Sequence, residues 1–144
     1  MTRLLLDTNA FNWFLAKQPM EDDALFAIAE AQPANTLFVS PITAWEAALA
    51  LQKKSQVRRP DLRGQDAATW FREGRKSTGA KLVSIGPRIA LEAARVPLAC
   101  GQRDPGDCYI IATARVGKLT IMTRDRPISD LAAAQPDYLH VVQC

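Results

Sequence analysis

Four carboxylates stand alone in otherwise apolar surroundings. Asp7 closes the run Leu4-Leu5-Leu6, and Glu46 interrupts the helical pattern that opens at Pro41-Ile42 and carries Trp45, Ala47, Ala48 and Leu49. Asp107 precedes Cys108-Tyr109-Ile110-Ile111-Ala112, and Asp125 follows the strand-like stretch 119–123. Asp7, Glu46 and Asp107 lie in no charge run, and Asp125 stands between Arg124 and Arg126. An isolated carboxylate in an apolar element is costly to desolvate unless a cation pairs with it. Four of them at corresponding edges point to one hard divalent ion held by oxygen ligands. The single histidine, His140, rules out an imidazole cage or a pair of imidazole acid and base catalysts, so hydrolysis would have to run on carboxylates.

The elements that must position these residues alternate between apolar strand-like runs and helical patterns, the signature of βαβ units around a parallel sheet. Strands are expected at residues 3–7, 36–39, 81–85, 119–123 and 138–142. Helices are expected at 10–15, 22–31 and from Pro41 to about 54, then at 66–76, from Pro87 to before Pro97, at 107–116 and at 128–134. Thr8-Asn9 reads as a turn and cap, Ser40-Pro41 as an N-cap with proline at the first helical position, and Pro33 as a helix stop. Residues 55–65 read as an exposed connection, and the loop 98–106 carries Asp104-Pro105-Gly106 ahead of Asp107. Asp7 and Asp125 would both sit at the carboxyl ends of strands, where ligands collect in open parallel sheets. The helix and strand between Asp107 and Asp125 would return both carboxylates to one side of the sheet.

Each candidate has a structural alternative. Asp7 or Asp107 could simply cap the helix that follows, and Glu46 could be exposed beside Thr43 and Lys53. Asp104 competes with Asp107 in the same loop, as a support or a ligand of a second metal.

The chain of 144 residues, with 48% apolar and 23% charged side chains, is the size and composition of one soluble globular domain spanning 1–144. It has neither a membrane-spanning run nor a signal-like start, so a cytoplasmic protein is expected. Cys100, Cys108 and Cys144 form no CxxC pair, which fits reduced thiols. The net charge of +3 hides an asymmetry: residues 52–88 hold 10 basic and 3 acidic side chains, whereas residues 1–51 hold 2 and 6. A basic middle could attract a polyanion by counterion release, or be a solvated helix face.

Leu4-Leu5-Leu6-Asp7-Thr8-Asn9, Ser40-Pro41-Ile42-Thr43-Ala44-Trp45-Glu46, Asp104-Pro105-Gly106-Asp107-Cys108-Tyr109 and Ile121-Met122-Thr123-Arg124-Asp125 occur in order over nearly the whole chain. Together they resemble the signature blocks of PIN-domain ribonucleases, specifically the VapC-type toxins of type II toxin-antitoxin systems. The resemblance implies an α/β/α sandwich with a central, mostly parallel sheet of about five strands flanked by helices. It implies a magnesium-dependent endoribonuclease, with manganese as a substitute, in which Asp7, Glu46, Asp107 and Asp125 are the metal-site carboxylates. Asp104, Thr8, Asn9, Ser40 and Thr123 are then polar supports, and Arg124 and Arg126 contact RNA. Gly106 and Cys108 depart from the family pattern, where an aromatic residue and an arginine are common. The expected partner is a cognate, VapB-like antitoxin whose C-terminal segment blocks the acidic site; Phe11, Trp13, Phe14 and Phe26 are either its apolar groove or, as such residues more often are, plain core. A homodimer and a toxin-antitoxin hetero-oligomer are also implied. The alternatives are a phosphatase or phosphotransfer domain with strand-end aspartates, and a catalytically dead nucleic-acid-binding or antitoxin-binding module.

Overall fold

The computed structural model describes residues 2–53 and 61–144. Its elements run β1 (Leu4–Leu6), α1 (Thr8–Leu15), α2 (Asp22–Ala34), β2 (Leu37–Val39), α3 (Pro41–Ala50), α4 (Ala67–Thr78), β3 (Lys81–Leu82), α5 (Pro87–Cys100), α6 (Pro105–Gly117), β4 (Thr120–Thr123), α7 (Arg126–Ala134) and β5 (Val141–Gln143). The five strands form one sheet in the order β3-β2-β1-β4-β5, and every pairing is parallel.

β1 lies at the centre and is buried on both faces, which is why it reads as an unbroken apolar run rather than an alternating one. Its side chains alternate between two cores. Leu4 and Leu6 join Phe11, Ile28, Leu37 and Trp70 on the face covered by α1, α2 and α4. Leu5 joins Ile89, Val96, Ile111, Ile121 and Ile128 on the face covered by α5, α6 and α7. The outcome is the expected α/β/α sandwich. From β1 the order steps through β2 to β3 on one side, while β4 and β5 lie on the other, so the crevice between β1 and β4 is where the winding reverses.

Several boundaries differ from the sequence reading for local reasons. α1 starts one residue after Asp7, which itself caps the helix by accepting the Ala10 N–H at 2.7 Å; the cap is therefore not at Thr8-Asn9. α6 starts at Pro105 with Asp104 as N-cap, the same proline-at-N1 start that Ser40-Pro41 makes for α3, and Asp107 falls in its first turn. Pro33 does not stop α2, which closes two residues later at Asn35 in the left-handed conformation. Pro97 does not stop α5, which runs on to Cys100 and ends at Gly101 with φ +77°. There the packing of Ile89, Ala93 and Val96 against the core outweighs the hydrogen bond the proline forfeits. β3 is only two residues long, and β5 begins three residues later than expected. α3 ends at Ala50, short of the expected limit at 54, and residues 54–60 of that limit and the following connection lie outside the described residues.

Candidate active site

Asp7, Ser40 and Asp125 each follow a strand at the carboxyl edge of the sheet, and each caps the next helix. Asp7 and Asp125 flank the crevice between β1 and β4. Thr123 connects them: its hydroxyl accepts the Asp125 N–H at 2.8 Å and is also a hydrogen-bond partner of the Asp7 carboxylate. Asp125 in turn accepts the Ile128 N–H at 3.1 Å.

Glu46 reaches the same edge from α3. Thr8 donates to its Oε1 at 2.7 Å, and the Thr8 hydroxyl lies 3.1 Å from that of Thr43. From the other side α6 comes close enough that a Cβ on Gly106 would sit 2.9 Å from the Glu46 carboxyl carbon and 3.0 Å from its Oε2. Gly106 is thus the residue that lets Glu46 lie against the start of α6. Asp107, one residue on, donates its N–H to Asp104 Oδ2 at 3.0 Å and accepts from Gln102 Nε2 at 3.2 Å.

The electrostatics report the gathering of charge. Burial pushes the Asp7 carboxyl up to about 6, helped by the charges of Asp125 and Glu46 and opposed by the hydrogen bonds from Thr123 and Ala10. Asp107 is pushed up to about 7, first by burial and then by Asp125, Asp104, Glu46 and Asp7 together. Glu46 is also raised, by burial and by Asp104, against the Thr8 hydrogen bond. Among the described residues no three Asp, Glu, His or Cys side chains are drawn into a closed ion cage. Each of the four carboxylates instead accepts from N–H or O–H donors of the chain. The donors present are carboxylate and hydroxyl oxygens, which suit a hard ion; burial keeps the Cys108 thiol protonated, and the imidazole of His140 lies exposed elsewhere.

A profile of the PIN domain matches residues 4–134. The chain belongs to the PIN domain family. Among solved structures, the PIN fold of this chain is similar to VapBC2 from Rickettsia felis bound to a DNA fragment from its promoter, with TM-score 0.67 and 13% identity over 98% of both chains. It is similar to DNA-bound VapBC from Salmonella typhimurium, with TM-score 0.66 and 15% identity over 99% of this chain and 98% of the other. FitAcB from Neisseria gonorrhoeae gives TM-score 0.56 and 23% identity over 96% and 95%. Among curated protein sequences none matches significantly.

Within this PIN domain the supporting residues divide. Thr8 and Thr123 touch the carboxylates. Ser40 is fully buried and accepts the Ile42 N–H at 3.0 Å, so it builds the start of α3, while Asn9 is exposed on α1. Arg124, expected at RNA, is exposed and is held in place by contacts within the protein. Its Nε donates to the Cys144 carbonyl at 2.7 Å, a second guanidinium nitrogen donates to Pro19, and the group lies 4.1 Å from the Trp13 ring centre. Arg126 is exposed and lines an open depression with Pro19, Glu21, Arg124 and Gln143. Of the aromatic groove residues, Phe11 is buried outright against Trp70 and Phe71, whereas Phe26 is 67% exposed. Sequence reasoning missed Thr43 and Gln102. Thr43 had a signal, being three residues before Glu46 and so on the same helix face; Gln102 is a loop residue with none.

Proposed function

We propose that this PIN domain is the endoribonuclease toxin of a type II toxin-antitoxin module, cutting RNA phosphodiesters with divalent metal. The observation that carries the reading is the carboxylate cluster at the reversal point of the sheet, where burial and mutual repulsion leave Asp7 and Asp107 poorly stabilised as anions. Asp7, Asp107 and Asp125 would hold magnesium, with manganese as a substitute and Asp104 beside them. When bound, the ion supplies positive charge for the scissile phosphate and lowers the pKa of water at the site.

The chain's own residues do the rest. Thr8 occupies Glu46 Oε1, which leaves Oε2 as the acceptor that orients the attacking water and takes its proton. Burial and Asp104 raise Glu46, which strengthens it as a base. Thr123 steadies Asp7 and the turn into Asp125. Arg126 and the basic side chains of α4, Arg72, Arg75 and Lys76, would draw in the RNA backbone.

Similarity to toxin-antitoxin complexes supports a partner: a VapB-like antitoxin whose C-terminal segment covers the acidic cleft, in an assembly built on a toxin homodimer. Among the described residues no helix is long and apolar enough to cross a membrane; a toxin that cuts cellular RNA would act in the cytoplasm.

The test is to incubate antitoxin-free protein and its Asp7→Asn variant with total cellular RNA, with magnesium, with manganese and with chelator, and to map new RNA ends. Discrete cuts that need both metal and Asp7 are expected. Cuts retained by the Asp7→Asn protein would sink the assignment, and a lack of cuts under every condition would favour an inert binding module.

A further inference from the structure

We propose that Gln102 is a positioning residue for Asp107, holding that carboxylate in the cleft before any cation arrives. The inference rests on the nuclease reading above and adds to it a residue outside the signature blocks.

Gln102 lies in the short connection between Gly101, the left-handed cap of α5, and Asp104, the cap of α6. A carboxamide carries an acceptor and a donor on one planar group, and this one uses both. Its Oε1 accepts the N–H groups of Arg103 at 3.0 Å and Asp104 at 3.1 Å. Its Nε2 donates to Asp107 Oδ2 at 3.2 Å. The orientation of the amide follows from these partners, because reversing it would set an NH2 against two N–H groups and an oxygen against a carboxylate. The main chain of Gln102 is fixed as well, since its carbonyl accepts the Cys108 thiol at 3.3 Å.

Closing the turn between α5 and α6 explains the Oε1 contacts alone. The contact to Asp107 does nothing for the turn; it aims one oxygen of a carboxylate that faces the repulsion of Asp125, Asp104, Glu46 and Asp7. Among the described residues Gln102 is the one side chain that donates a hydrogen bond to Asp107. Its neutral amide offers that donor without competing for the metal as a cationic side chain would. Groups behind a metal ligand that fix its orientation commonly govern affinity for the ion.

Two variants separate the roles. Gln102→Met removes donor and acceptor at similar volume. Gln102→Glu keeps the acceptor for the two loop N–H groups but sets a charge against Asp107. Manganese binding to RNA-free protein is measured by calorimetric titration, alongside melting temperature with and without manganese and the kcat and KM of RNA cleavage. We expect Gln102→Met to bind manganese about 10-fold more weakly while KM for RNA holds. We expect Gln102→Glu to melt lower than wild type without metal and to gain more on adding manganese. A folded Gln102→Met protein with manganese affinity within about twofold of wild type overturns the positioning role. If that variant does not fold, the other decides, and a manganese-induced rise equal to that of wild type overturns it. Wild-type protein that binds no manganese fails the nuclease reading itself and takes this inference with it.

Discussion

Asp7 and Asp66 make the same hydrogen bond. Each caps a helix from an extended backbone conformation, and each accepts the N–H three residues on at 2.7 Å. Their carboxyls nevertheless move in opposite directions. Asp66, at the exposed start of α4, is lowered chiefly by that cap bond from the Thr69 N–H and then by the Thr69 hydroxyl. Asp7, buried beside Asp125 and Glu46, is raised to about 6 although the cap bond and Thr123 both pull it down. Capping is a complete account of Asp66. For Asp7 it leaves a buried charge under-compensated, and that surplus is what a cation would relieve.

The comparison breaks most sharply under matched substitution. Asparagine keeps the cap acceptor, so Asp7→Asn and Asp66→Asn should both fold. RNA cleavage should fall by more than about 100-fold in the first, beyond what outer positioning groups usually cost, and hold in the second. Equal activities would show that Asp7 is only a cap.

Two glycines sharpen the same contrast. A Cβ on Gly106 would press on the end of the Glu46 side chain, which can swing away. Gly106→Ala should therefore cost under about 1 kcal/mol of stability but roughly 10-fold in cleavage, read by denaturant melts and initial rates. A Cβ on Gly74 would lie 2.6 Å from Leu15 Cδ1 and 2.7 Å from Phe11 Cζ, and Phe11 is fully buried. Gly74→Ala should cost about 1–3 kcal/mol and leave the activity of the folded fraction unchanged.

Proton linkage gives a smaller but signed effect. Asp7 and Asp107 bind protons more tightly folded, at about 6 and about 7, than at the ordinary value of 3.8. Their contribution to stability is fully present below about pH 4 and is lost as pH rises through 6 and 7. Asp66, being lowered, acts with the opposite sign, its contribution being lost in acid. Chelated protein should thus melt lower at pH 8 than at pH 5, and magnesium should raise the melting temperature more at pH 8. A magnesium increment independent of pH would count against a cation at these carboxylates. Smallest of all, Asp66→Ala should lower the melting temperature by a few degrees at either pH, with or without magnesium.

Much of this architecture is legible in the sequence because burial writes it plainly. The Leu4-Leu5-Leu6 run marks a strand covered on both faces, and Ser40-Pro41 marks a helix start. The ends of α2 and α5 were misread because Pro33 and Pro97 are judged by local rules, whereas helix packing decides whether a lost hydrogen bond is tolerated. In the site, isolated carboxylates in apolar surroundings were the visible signal. Arg124 shows what adjacency in sequence leaves out: its partners Pro19, Trp13 and Cys144 come from distant parts of the chain. Gln102 was invisible for the same reason that it matters, since its role depends on both ends of one side chain finding partners at once.

The central place of β1 has a further consequence for how the protein is made. Its neighbour β2 follows within one helical hairpin, but its other neighbour, β4, emerges only after α6. Ribosomes deliver roughly 5–20 residues per second, so for several seconds the nascent chain holds Asp7 and Glu46 beside an open sheet edge with no facing wall. A truncated or stalled chain that stops before β4 carries Asp7, Glu46 and Asp107 but lacks Asp125 and the crevice between β1 and β4. The fourth carboxylate, and the cleft it closes, are therefore added only when β4 joins the sheet.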